Sequence, residues 1–81
     1  METRVAVIGI IVEDLASAPG VNAVLHEYAD YIVGRMGIPY GKKDVSVISV
    51  VIDAPMDVIN AITGKIGRID GVSAKAACSA K

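Results

Sequence analysis

The chain has 81 residues, 53% of them hydrophobic, and a formal net charge of −1 from 8 basic and 9 acidic side chains. That length supports one small domain, 1–81, and the even charge balance, without a basic stripe, excludes the electrostatic footprint of a nucleic-acid binder. No apolar run nears the ~20 residues of a membrane-spanning helix, Glu2 spoils the basic start of a secretory signal, and the single cysteine agrees with a reducing, cytoplasmic setting.

The first strand is expected over about Arg4–Glu13. Its run Val5–Val12 is apolar on both faces: Val5, Val7, Gly9 and Ile11 point one way, and Ala6, Ile8, Ile10 and Val12 the other. Leu15–Gly20 reads as a loop. A helix over Val21–Val33 follows from the spacing of Val21, Val24, Leu25, Tyr28, Ala29 and Ile32 along one face, with Gly34 ending it. Arg35–Tyr40 reads as a short strand, and Pro39, which lacks a ladder donor, suits it to a sheet edge. After the polar turn Gly41–Asp44, Val45–Asp53 is a second strand apolar on both faces, interrupted by Ser46 and Ser49. A helix over Pro55–Arg68 has Pro55 in its first turn and Val58, Ile59, Ile62, Ile66 and Ile69 on one face. Asp70-Gly71 turns the chain into a last strand, Val72–Ser79.

The order βαββαβ implies an α+β, ferredoxin-like, split-βαβ sandwich: a four-stranded antiparallel sheet with two helices on one face. The first and third strands are then central, and the second and fourth are edges. The bulkier set Ile8, Ile10, Ile48, Val50 and Ile52 is assigned to the helix side. The slimmer set Val5, Val7, Val45, Val47 and Val51 is left on a face that no helix of this chain covers. Burying one Val is worth about 1.5–3 kcal/mol. Five per subunit, with a mean hydropathy of +0.54, point to self-association as a homodimer or homotetramer.

Glu13-Asp14, then Pro19-Gly20-Val21 opening the helix, resemble the ACT ligand-binding domain, with extra residues between Asp14 and Pro19. The resemblance implies a small-molecule site, such as one for an amino acid, at Asp14, Pro19, Gly20, Val21 and Asn22, near a subunit interface. A helix N-terminus and a Gly without Cβ suit a carboxylate there. Arg35 could grip a carboxylate or phosphate, or serve as a solubilising edge charge.

A longer resemblance covers nearly the whole chain. Gly34-Arg35-Met36-Gly37-Ile38-Pro39, Val45-Ser46-Val47-Ile48-Ser49-Val50-Val51, Thr63-Gly64-Lys65-Ile66-Gly67 and Gly71-Val72 are similar to the iron-only hydrogenase system regulators. These are stand-alone ACT-like domains, related in fold to the C-terminal domain of nickel-responsive regulators. The resemblance implies an [FeFe]-hydrogenase maturation context, in which the partner could be another regulatory or maturation protein.

The relationship to nickel regulators raises a metal site, but His26 and Cys78 are too few ligands unless subunits pool them. No metal or cofactor is expected. Gly41-Lys42-Lys43 fails the phosphate-loop pattern, and no nucleophile accompanies the lone His, so no catalytic residue is assigned. Only a few residues precede the first strand, so no DNA-binding segment is expected there. The reading is a non-enzymatic regulatory, ligand-sensing domain acting as a homo-oligomer. The alternative is an interaction protein that docks on a maturation factor through its apolar sheet face, without a ligand.

Overall fold

The computed structural model describes residues 2–80. Six main elements follow in the order β1 (Arg4–Val12), α1 (Ala18–Glu27), β2 (Ile32–Tyr40), β3 (Val45–Ala54), α2 (Met56–Gly67) and β4 (Val72–Cys78). Short 3-10 turns at Leu15–Ser17, Ala29–Tyr31 and Gly41–Lys43 join them. The sheet order is β2-β3-β1-β4, antiparallel throughout. This is the α+β ferredoxin-like, ACT-like arrangement, with the two doubly apolar strands in the centre.

Residues paired across an antiparallel ladder share a face. Ile8 lies opposite Val50, and Ile10 opposite Ile48. These side chains, with Ala6, Val12, Ile52 and Ala54, are buried against Val21 and Leu25 of α1 and Ile59, Ile62 and Ile66 of α2. The helix-side assignment of the bulkier set therefore matches the core. No buried side-chain polar atom among the described residues lacks a hydrogen-bond partner.

The first helix departs from the periodicity. It starts at Ala18, with Pro19 in its first turn, and ends at Glu27 rather than running over Val21–Val33. Tyr28 leaves helical geometry at φ −107°, ψ 23°, and a 3-10 turn over Ala29–Tyr31 delivers the chain straight into β2. Ile32 and Val33, β-branched and suited to a pleated surface, are strand residues, and Gly34 lies inside β2 instead of stopping a helix. Pro55 is the N-cap of α2, its carbonyl accepting from the Val58 and Ile59 amides at 3.0 Å each.

The two helices are also joined at the surface. The Lys65 ammonium donates to Glu27 Oε2 at 3.0 Å and sits 5.0 Å from the centre of the Tyr28 ring. Tyr28 first and the Glu27 carboxylate second hold the Lys65 pKa above its ordinary value. The pair is well exposed, so its contribution to stability is small.

Gly64 lies inside α2, where Gly costs up to about 1 kcal/mol relative to Ala. A Cβ there would come within 3.2 Å of Arg68 Nη2, the far end of a flexible, exposed side chain. Gly64→Ala is therefore expected to raise stability by about 0.5–1 kcal/mol, measured by urea unfolding at fixed protein concentration; a loss of stability would show that Arg68 cannot move aside.

Candidate functional site

Two surfaces stand out, one on each side of the sheet. On the side away from the helices, Val5, Val7, Ile11 and Val47 project from the central strands, and Met36, Ile38 and Tyr40 from β2. These seven are between 37% and 59% exposed. Val45 and Val51 lie among them half-buried. Asp53 and Lys75 carry the charges of the strand residues on this face. Gly9 leaves a hollow between β1 and β4 of about 390 Å³, lined by Ile11, Val47, Ser73 and Lys75 among others. The expected set Val5, Val7, Val45, Val47 and Val51 thus lies on one face. Sequence reasoning missed the row from β2, although the alternation Met36, Ile38, Tyr40 carries its signal.

The parity of β2 is set by a bulge. Ile32 pairs with Ile52, but Gly34 pairs with Val51 and Arg35 with Val50. One extra residue between Ile32 and Gly34 shifts the register, and a one-residue shift exchanges the faces. Met36, Ile38 and Tyr40 therefore reach the open face, whereas Arg35 lies on the helix side, opposite the buried Val50.

There Arg35 meets α1. Its Nη2 donates to Asn22 Oδ1 at 2.9 Å. The two line a groove of about 390 Å³ between α1 and β2 with Leu25, His26, Ala29 and Ile32. His26 lies one turn after Asn22 on the same helix face. Of the six residues expected at a ligand site, only Asn22 and Arg35 come together here.

The others serve the framework. Asp14 Oδ1 accepts from the Ala16 amide at 3.0 Å and caps the turn after β1. The Gly71 carbonyl accepts from the Glu13 amide at 2.7 Å and the Asp14 amide at 3.4 Å, and Ser17 Oγ donates to the Asp70 carbonyl at 2.6 Å. The loop is thereby fastened to the turn before β4. Pro19 and Gly20 belong to the first turn of α1, where a Cβ at Gly20 would touch Ile69 at 3.6 Å. Val21 is fully buried in the core. Cys78 is exposed on β4, at the opposite edge of the sheet from the groove. Among the described residues no cluster of three or more His, Cys, Asp or Glu could hold a metal ion, and no helix is long and apolar enough to cross a membrane.

The TM1266-like family, described as "Iron-only hydrogenase system regulator, putative", matches residues 4–76. Among solved structures, that of the uncharacterized protein TM1266 from Thermotoga maritima is similar with a TM-score of 0.91 and 31% sequence identity. The alignment covers 95% of this chain and 98% of that one. No curated protein matches.

The fastening of the β1–α1 loop depends on Gly71, whose φ of +73° suits glycine, and where a Cβ would lie 2.6 Å from Asp14 Cβ. Gly71→Ala is expected to cost roughly 1–3 kcal/mol or more, from left-handed backbone strain and the clash. Thermal unfolding checks this, and a melting temperature equal to that of the unmodified chain would show that the turn relaxes freely.

Proposed function

Because this chain belongs to the TM1266-like family of iron-only hydrogenase system regulators, we propose that it is a non-enzymatic regulatory domain that assembles with itself and responds to a small molecule. The observation that carries this reading is the apolar open face of the sheet. Four strands at about 4.8 Å spacing and nine residues at about 3.3 Å rise make a face of roughly 570 Å² in projection. With side-chain relief that approaches the ~800 Å² per partner of a standard interface. The centre is aliphatic, and charge is confined to Asp53 near one end and Lys75 on an edge strand.

The face is also shaped to meet a copy of itself. A two-fold interface needs knobs and a hollow on the same patch. β2 supplies the two most exposed apolar side chains of the face, Met36 and Ile38, and the hollow over Gly9 lies toward the other edge, between β1 and β4. Turning one sheet over about an axis along its strands sets the β2 row of each copy above the hollow of the other. Regulation then acts by population shift: a small molecule that favours one arrangement of subunits changes what the assembly presents to another regulatory or maturation protein. This takes place in the cytoplasm, in the [FeFe]-hydrogenase setting for which the family is named.

Light scattering after gel filtration at low concentration tests the assembly. The expected mass is that of a dimer or tetramer. Val47→Lys places a charge in the middle of the face twice per dimer and is expected to weaken association by roughly two orders of magnitude, with secondary structure by circular dichroism unchanged. A folded, monomeric unmodified chain would overturn the reading in favour of a face reserved for a different protein.

A further inference from the structure

We propose that the groove between α1 and β2 binds a small organic carboxylate with a short apolar body and no ammonium group. The proposal rests on the sensing reading above and gives it a site and a ligand class. Its geometry uses one subunit only, so it does not require the sheet faces to pair.

Arg35 is the anchor. The bulge turns Arg35 to the helix side, where its solvent-exposed guanidinium reaches across the groove to Asn22 instead of standing off the edge of the sheet. Among the described residues it has no carboxylate within ion-pair distance. One of its five donors is used by Asn22, leaving a planar fork that matches a carboxylate bidentately.

Asn22 narrows the chemistry. Arginine has no acceptor, so it is Oδ1 of Asn22 that faces it, and the amide Nδ2 remains as a donor. His26 offers a ring N–H in either neutral tautomer. No acidic residue lines the groove. Its side chains thus provide free donors in Arg35 and Asn22 and a hydrogen-bonding ring in His26, above an apolar floor of Leu25, Ala29 and Ile32. The groove, about 390 Å³, is open to solvent on its outer side, so a ligand there would be held mainly by its carboxylate. A carboxylate satisfies the donors and its hydrocarbon body covers the floor. An α-ammonium group would meet the Arg35 charge and find no carboxylate, so an amino acid binds less well than its deaminated counterpart. Inorganic phosphate would engage the donors but leave the floor bare.

The test is an amide NMR titration of the full chain with isovalerate, valine (the same skeleton carrying an α-ammonium) and inorganic phosphate, with light scattering on the same samples. Isovalerate is expected to give saturable shifts concentrated in residues 22–35, with valine and phosphate weaker. Arg35→Gln and Asn22→Asp should each weaken isovalerate by about tenfold or more, through loss of the charge-assisted bonds or repulsion of the anion. Absence of saturable shifts in that segment, equal binding by Arg35→Gln, or equal or tighter binding of valine or phosphate would overturn the proposal. A monomer that still binds isovalerate would remove the assembly reading and leave the site standing; an assembled chain that binds none of the three would do the reverse.

Discussion

Two helices can cover one face of a four-stranded sheet, and the strands at the centre of this sheet are apolar on both. Everything else in the molecule is arranged around that inequality. The helix side is a closed core in which Ile8, Ile10, Val50 and Ile52 have no solvent contact. The other side presents side chains of the same kind to water. Scattered exposed aliphatics are normal on a protein surface, whereas a contiguous apolar sheet face is not. The hydrophobic excess of the composition has therefore a definite location, and the location supports association where the percentage alone could not.

The bulge in β2 decides which residues join that face. Without it, Ile32 and the following even-numbered residues would share one side, and Met36, Ile38 and Tyr40 would lie on the helix side while Arg35 faced outward among the valines. An unpaired guanidinium there would oppose association, since a desolvated charge is costly unless paired. One inserted residue corrects both placements together. It costs a local break in the ladder, at an edge strand where such irregularities are commonest.

The strand order and the core were legible because they rest on period-two patterns in Val5–Val12 and Val45–Ile52 that leave little room for another reading. The end of α1 was not. Tyr28, Ala29 and Ile32 continue the helical spacing of Val21, Val24 and Leu25, so periodicity alone carries the helix through to Val33. What stops it is pairing at a distance: Ile32 is required opposite Ile52, and the chain must turn at Tyr28 to arrive there. The groove was hidden for the same reason. It exists only because α1 stops at Glu27 and β2 begins at Ile32, which brings residues 22 and 35 together. The Pro-Gly helix start drew attention to the stretch from Asp14 to Asn22, yet Val21 is core and Asp14 is committed to its own turn. Only Asn22, the last residue of that stretch, faces the groove.

β2 is where the two proposed functions meet. Its helix-facing side carries Arg35, and its open face carries Met36, Ile38 and Tyr40, the row proposed to enter a partner's hollow. It is an edge strand, hydrogen-bonded to β3 alone, and its bulge lies three residues from Arg35 or fewer. A ligand that pulls the guanidinium toward α1 acts on the strand that supplies the knobs of the interface. Given both proposals, ligand and partner bias the same element from opposite sides of the sheet. Any coupling between them must then be reciprocal: a ligand that strengthens association is itself bound more tightly by the assembled form, by the same factor. A site on α2 would lack this connection. Under the two proposals Arg35 would link sensing to assembly, and its facing toward α1 follows from a single extra residue in the strand.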